Sequence, residues 1–372
     1  MEKKELVYRL ALSTIPGIGP VNAKRLLDHF GDAASIFGAD PATLKEVAGI
    51  GTARADAISQ FHQFPLVEKE MAFVEKYGIR CIFFTDKDYP HRLLGFKEAP
   101  VLLYYKGNAD LNSRRIVSVI GTRRPTEYGK QMAERFVKEL AVYGPLVISG
   151  LAYGIDAIAH KVALEHCLPT IGVLGHGLDK IYPPQHRNLA REMVRHGGLL
   201  TNFNRSEDPA AYNFPLRNQI VAGMCDALVV VETAVDGGSM LTIGDALRYK
   251  KKVFAFPGRV TDKASSGCNR LIREGNARLL LDASQLSAEM GWSALDQPGA
   301  AALGKPEARA EKNLSDNEKT LLRLLKDRET RSLDQLSAQT ELSSSAIAVS
   351  LLNLELNGLV RMLPGNMCRL VV

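Results

Sequence analysis

Between residues 115 and 285 the chain alternates unbroken apolar runs with stretches whose apolar positions recur every three or four residues. The runs are Ile116–Ile120, Leu146–Ser149, Thr170–Leu174, Ala227–Val231 and Val253–Phe256. Each is too short for a helix and apolar on both faces, as a strand inside a parallel sheet must be. YGKQMAERFVKELAVYG and GIDAIAHKVALEHC lie between them with one apolar stripe each, which predicts helices covering the sheet. The alternation predicts an α/β fold, an extended Rossmann-like doubly wound sheet spanning residues 67–292. Sheets of this kind bind ligands at the carboxyl ends of their strands.

The flanks have other rhythms. Residues 1–66 read as short helices broken by glycine pairs, with Ile15-Pro-Gly-Ile-Gly19 before VNAKRLLDHF and Val47-Ala-Gly-Ile-Gly51 before TARADAIS. An apolar residue, a G-x-G turn and a helix start, given twice, predict a helix-hairpin-helix (SAM-like) domain. In that motif glycine lets the backbone turn and the next helix's N–H groups face a phosphate. Packing or partner contact is the other reading of the same turns. Residues 293–312 are rich in Ala, Gly and Pro without an apolar period and predict a linker. Over residues 313–372, Leu314-Ser-Asp-Asn-Glu318 opens a capped helix, SLDQLSAQT gives a second and SSSAIAVSLLNLELNG a third. LVRML and MCRLVV around Pro-Gly-Asn then form a hairpin, completing a winged helix. Its third helix, 343–357, contains no Lys or Arg and carries Glu355, so its composition favours contact with protein over reading of duplex DNA.

Charge sharpens the picture. The net charge is +6, and all of it belongs to the middle: residues 67–292 hold 30 Lys/Arg against 24 Asp/Glu. Residues 1–66 and 313–372 hold seven of each sign, and 293–312 three of each. A phosphate-rich partner is therefore expected on the middle domain. The five cysteines form no C-x-x-C pair, which fits a reducing cytoplasm and opposes a disulfide framework or structural zinc. MEKKELVYRL does not read as a signal peptide, and no run of about 18 apolar residues is present, so no membrane association is expected.

The candidate chemistry lies where the strands end. Gly121-Thr122-Arg123-Arg124 leaves the first strand: glycine permits close approach, the following N–H groups suit an anion, and arginine adds a phosphate-binding fork. Ser149-Gly150 ends the second strand, and Gly175 and Gly177 follow the third. In Tyr212-Asn213-Phe214-Pro-Leu-Arg217-Asn218, an aromatic lies three residues before an arginine. Stacking a base while a cation holds the backbone is how single strands are gripped without sequence preference. Gly237, Gly238 and Ser239 open one more helix N-terminus, and Pro257-Gly-Arg259 with Ser266-Gly-Cys-Asn-Arg270 completes the rim. Asp156 and His160, at i and i+4, have the spacing of a base and its orienting acid. A helix-capping Asp and a back-bonded His explain them better, and no third ligand or nucleophile is spaced to complete a catalytic or metal site. No cofactor is expected.

Taken together, IGTRRPTEYG, ISGLAYGIDAIAH, VLGHGLDKIYPP, NFPLRNQIVAG, VETAVDGGSMLT, VFAFPG and GCNRLIREG, in this order, resemble the DNA-processing protein A (DprA, or Smf) family. The resemblance is strongest over residues 115–285 and implies a non-catalytic protein of DNA processing and natural transformation. It implies single-stranded DNA held by the Rossmann-like domain, a homodimer, and help in loading the RecA recombinase. By motif position it makes Gly121, Thr122 and Arg123 the phosphate grip and Asn213, Phe214, Arg217 and Asn218 the adjoining wall. The chain departs from the family pattern at Gln219, where arginine is usual, at Thr201-Asn-Phe-Asn204 for S-E-Y-P, and at Gly237 for serine. Two rivals remain. The lysine-decarboxylase-like (LOG) enzymes share this Rossmann variant and carry P-G-G-x-G-T-x-x-E. Here Asp236–Asp245 lacks the glycine-threonine pair and sets its carboxylate one residue late, a turn of about 100° on a helix. An adaptor that recruits a recombinase through its helical flanks, with little DNA binding of its own, is the other.

Overall fold

A computed structural model describes residues 3–205, 207–295, 315–325 and 330–340, with 342–343, 346–347, 350–351, 354, 360–363 and 367–370. The chain divides into two compact units, Met1–Ala302 and Leu303–Val372. The predicted linker lies almost wholly outside the described residues, as do most of 343–357 and the Pro-Gly-Asn turn.

The larger unit opens with six helices, α1 (Lys3–Thr14), α2 (Pro20–Phe30), α3 (Ala33–Gly38), α4 (Pro41–Lys45), α5 (Thr52–Ser59) and α6 (Phe64–Tyr77). The two glycine turns behave alike: Gly17 and Gly49 take positive φ of 80° and 92°, and Gly19 and Gly51 cap α2 and α5. Arginines lock the two hairpins together. Arg54 donates to Gly17 O at 3.0 Å and Gly49 O at 2.8 Å, and Arg25 donates to Ala48 O at 3.0 Å. These cations are spent on turn carbonyls. Helix α6 runs across residues 66 and 67, and its Val67, Met71 and Val74 complete the N-terminal core with Phe83, Leu102 and Tyr104 of the sheet.

Nine strands form one sheet among the described residues: β1 (Arg80–Phe83), β2 (Leu102–Gly107), β3 (Ile116–Ile120), β4 (Leu146–Ser149), β5 (Thr170–Val173), β6 (Gly197–Thr201), β7 (Ala227–Val230), β8 (Lys252–Ala255) and β9 (Arg278–Leu279). Their order is β1-β2-β6-β5-β4-β3-β7-β8-β9. From β6 to β9 every pairing is parallel, and β2, itself paired antiparallel with β1, adds antiparallel to β6. Helices α7 (His91–Leu94), α8 (Glu127–Glu139), α9 (Ile155–Glu165), α10 (Arg187–Arg195), α11 (Asn213–Met224), α12 (Ser239–Arg248), α13 (Ser266–Arg273) and α14 (Ala283–Met290) connect and cover the strands.

Strand β3 shows why its run is unbroken. Ile116 and Ile120 enter a core with Ile220 and Val221 of α11 and Ile243 of α12. Val117 and Val119 enter another with Phe136 of α8, Ala159 of α9 and Leu286 of α14. The single polar residue of β3, Ser118, is satisfied by donating to Val221 O at 2.8 Å.

In the smaller unit, Ser315 and Glu318 form a capping box at the start of α15 (Asp316–Leu324), and Ser332 and Gln335 another at α16 (Leu333–Ala338). Residues 346–347, 350–351 and 354 are helical. Strands β10 (Arg331–Ser332), β11 (Val360–Leu363) and β12 (Met367–Leu370) pair antiparallel in the order β10-β12-β11. Leu321, Leu336, Ile347, Leu351, Val360 and Cys368 form this unit's own core, and the arrangement is a winged helix. No helix among the described residues is long and apolar enough to cross a membrane.

Candidate nucleic-acid interface

The strand order reverses at β3, which lies between β4 and β7, so the crevice of this sheet opens at the carboxyl ends of those three strands. The turns leaving them are tied together through the backbone. Thr122 N donates to Glu232 O at 2.7 Å and Ile155 N to Thr122 O at 3.2 Å. A Cβ on Gly121 would lie 2.6 Å from Ile155 Cγ1, and one on Gly154 would overlap Thr122 O, so both positions accept only glycine. Glu232, buried after β7, accepts from Thr126 N at 2.8 Å and Thr126 Oγ1 at 2.7 Å. Thr126 is the N-cap of α8. One carboxylate thus fastens the arginine-bearing turn to the central strands.

This frame surrounds a cleft of about 430 Å³, lined by Gly121–Arg124, Gly150, Asp156, Phe214, Arg217, Asn218, Gly237, Gly238, Ser239, Leu241 and Thr242 among others. Arg123 and Arg124 are exposed, and neither has a carboxylate oxygen within 4.0 Å among the described residues. The Arg123 guanidinium lies 5.4 Å from the ring centre of half-buried Phe214, and that of Arg217 lies 5.9 Å from it. Arg217 is 6% exposed: Nη1 donates to Val173 O at 2.6 Å and Nε to Asn218 Oδ1 at 3.0 Å. Burial lowers its pKa, and the facing Asp156 opposes that shift. Arg217 is the cleft's charged floor, while Arg123 and Arg124 stand exposed at its mouth. Gly150 lies directly beneath, where a Cβ would overlap both Arg217 Nη1 and Asp156 Oδ2.

The amide chemistry of the first turn differs in one detail from the sequence expectation. Thr122 N–H is taken by Glu232 O, and Arg124 N–H donates to Thr122 Oγ1 at 3.2 Å. Arg123 N–H is left without a protein acceptor among the described residues. The turn therefore offers one amide and two guanidinium groups rather than a row of amides.

Residues 80–291 match the family described as DNA recombination-mediator protein A, more than half of the chain. The chain belongs to the DprA/Smf family. Residues 305–366 match the DprA winged helix domain and residues 10–61 a SAM-like helix-hairpin-helix tandem. Protein Smf of Synechocystis is 33% identical over 397 residues, covering 98% of each chain. DNA processing protein DprA of Bacillus subtilis is 34% identical, over 63% of this chain and 78% of its own. Among solved structures, DprA of Streptococcus pneumoniae superposes with a TM-score of 0.67 at 29% identity, covering 79% of this chain and 99% of that one. DprA of Helicobacter pylori, solved for its single-stranded DNA binding mode, gives 0.53 at 28% identity over 58% of this chain and 98% of its own.

Against the DprA/Smf motifs, the cleft gathers Gly121, Thr122, Arg123, Arg124, Gly150, Phe214, Arg217, Asn218, Gly237, Gly238 and Ser239. Gly175 lies on the adjoining wall, where a Cβ would come within 3.0 Å of the Phe214 ring. Ser149, Gly177 and Asn213 lie beneath the surface. Ser149 Oγ donates to Val119 O at 2.6 Å, and Asn213 Nδ2 to Asp208 O at 3.1 Å, holding the start of α11. Gly177 packs against the backbone of Asn204 and Arg205. The 257–270 segment sits behind the cleft wall, with Gly267 N donating to Thr233 O at 2.9 Å.

His160 is a core residue. Nε2 lies 2.6 Å from the Gly150 carbonyl, which only accepts, so Nε2 carries the proton, and Nδ1 lies 2.6 Å from Thr170 Oγ1. Burial lowers its pKa to about 4 and keeps it neutral. Asp156 reaches the cleft but accepts from Ala152 N at 3.2 Å, as a helix-start carboxylate does. Burial raises its pKa, with Arg217 opposing.

Two aromatics beside the cleft carry little sign in the sequence of the place they take. Tyr182 is 46% exposed with its ring 6.5 Å from Phe214, and Tyr153 is 44% exposed and packs on His186 at 5.1 Å. Both stand shortly after a glycine strand exit, and that position is their only mark.

Proposed function

We propose that this chain binds single-stranded DNA in the β3–β4–β7 cleft without catalysing a reaction on it. The carrying observation is the pair of exposed arginines, Arg123 and Arg124, with no carboxylate in ion-pair contact among the described residues and set beside a half-buried phenylalanine at the switch point of the sheet. Guanidinium groups take phosphates and the Phe214 ring takes a base, with Tyr182 a second aromatic surface. A duplex keeps its bases stacked and offers nothing to Phe214. The single-stranded DNA binding of the Helicobacter pylori relative supports the same reading.

A nucleotide-processing reaction fits less well. Asp245, the nearest counterpart to the LOG glutamate, pairs with Arg248 at 2.8 Å and is not among the residues lining the cleft. A second copy of the chain and a RecA-type recombinase complete the reading as partners that family membership implies, in a cytoplasmic setting of natural transformation or recombination.

Ultraviolet cross-linking to oligo-dT followed by peptide mapping tests it. Cross-links at Phe214 or Tyr182 are expected. Cross-links confined to residues 1–66 or 313–372 would move DNA binding to the flanks and favour the adaptor.

A further inference from the structure

A second basic groove lies on the other side of the loop that borders the cleft. Its walls are α6 and the loops after β5 and β6, with Lys69, Phe73, Lys76, Tyr77, Lys106 and Arg205 among its lining residues. Phe73 and Tyr77 stand at i and i+4 with ring centres 4.9 Å apart, and Tyr77 is 46% exposed. Cations crowd these rings: Lys76 Nζ lies 5.3 Å and Lys106 Nζ 5.8 Å from the Tyr77 centre, and the Arg205 guanidinium lies 5.9 Å from Phe73. Lys180 also lines the groove, giving five cations against one lining carboxylate, Asp179. Two of the cations are partly neutralised, Arg205 by Glu70 at 3.7 Å and Lys180 by Asp208 at 2.5 Å. Lys69, Lys76 and Lys106 have no carboxylate within 4.0 Å among the described residues, and Lys106 Nζ donates to Tyr77 O at 2.5 Å.

The groove and the cleft share their loops. Gly175, His176, Tyr182 and Pro183 face the cleft side, while Leu178, Asp179 and Lys180 of the same loop face the groove. Arg205 likewise lines the groove on the segment that leads to Phe214. Leu178 and Tyr182 are four positions apart in the chain, a span of at most about 14 Å. A flexible polyanion leaving the cleft over Tyr182 therefore meets a second cationic and aromatic surface within a short distance.

We infer that this groove is a second subsite for the same single strand, where Lys69 and Lys76 hold phosphates, Lys106 adds its charge from the Tyr77 carbonyl, and Tyr77 stacks a base. The inference rests on the cleft being the primary DNA site. Lysines interleaved with exposed aromatics are the composition of a sequence-tolerant single-strand surface. A partner protein would have to bring acidic groups to the same lysines, and it is the other outcome of the test.

The experiment uses the full chain and its Lys69→Ala/Lys76→Ala/Tyr77→Ala variant, with labelled oligo-dT of about 6 and about 20 nucleotides at several salt concentrations. The substituted side chains are exposed, so folding is expected to survive, and short-oligonucleotide affinity checks it. The variant should bind the short strand as wild type does and the long strand roughly tenfold more weakly. Its salt slope for the long strand should fall by about 0.7 for each phosphate released. Equal affinity of variant and wild type for the long strand would overturn the subsite and leave the groove to a protein partner. Arg123→Ala keeps the two claims apart, because it should weaken both lengths. If wild type binds neither length, the cleft reading fails and the subsite with it.

Discussion

Phe214 sits between two guanidinium groups, close enough to each for a cation–π contact, yet keeps part of its ring open to the cleft. If it stacks a base, Phe214→Ala should cost about 1–3 kcal/mol of single-strand affinity, measured by titration at fixed salt. An unchanged affinity would make the ring a packing element. Beneath it, Gly150→Ala should lower the melting temperature, because the added methyl overlaps Arg217 and Asp156 and the neighbouring backbone must shift. His160 sets a pH dependence. Its pKa falls from 6.5 to about 4 on burial, so between those values the unfolded chain binds a proton that the folded chain refuses. Stability should therefore fall as the pH drops from 6.5 to about 4. Burial lowers the His176 pKa also, and it adds in the same direction. His160→Gln should show a shallower dependence of melting temperature on pH over this interval, and a slope equal to wild type would contradict the assignment.

At the scale of elements, the turn between β3 and α8 holds its shape because Glu232, just past β7, binds its N-cap residue Thr126. Glu232→Ala leaves Thr126 N–H without its acceptor and frees the loop carrying Arg123. A loss of about 1–3 kcal/mol in denaturant unfolding at unchanged slope is expected, with weaker DNA binding alongside. Glu232→Gln, which keeps one carbonyl acceptor, should lose less.

The same elements show what a sequence can disclose. Strands β3 and β4 have the bounds that their apolar runs predict, β5 and β7 end one residue sooner, and β8 is shifted by one residue at both ends. Strand β6 begins with Gly197-Gly198, a pair that reads as a turn. The pair is needed because Cβ atoms there would overlap Thr170 and the Tyr105 ring, a packing demand absent from the local pattern. Cleft residues carried by a motif, such as Arg123 and Phe214, were legible. The burial of Arg217, the capping by Glu232 and the groove beside α6 were not, since each depends on residues brought together from separate parts of the chain.

For the whole molecule, the division at Ala302 predicts that residues 1–302 fold alone. Calorimetry should give the shortened chain the same transition that this unit shows in the full protein, and a large downward shift would contradict that independence. Removing residues 1–66 should behave differently. Phe83, Leu102 and Tyr104 share one core with Leu10, Leu26 and Ile36, so the truncated chain would expose an apolar face and is expected to aggregate. The N-terminal helices are thus part of the sheet's support as well as a candidate contact surface. Electrostatics also acts at this scale, since the whole net charge of +6 falls on residues 67–292 and draws a polyanion to the domain that holds the cleft.

The most direct test of the DNA-binding cleft is fluorescence anisotropy with labelled oligo-dT and a matched duplex at two salt concentrations, for wild type and Arg123→Ala. A clear preference for the single strand is expected, weakening with salt. The variant should bind about 1–3 kcal/mol less tightly, with a salt slope smaller by about 0.7. Equal binding of duplex and single strand, or a variant indistinguishable from wild type, would contradict the cleft as the site of DNA binding.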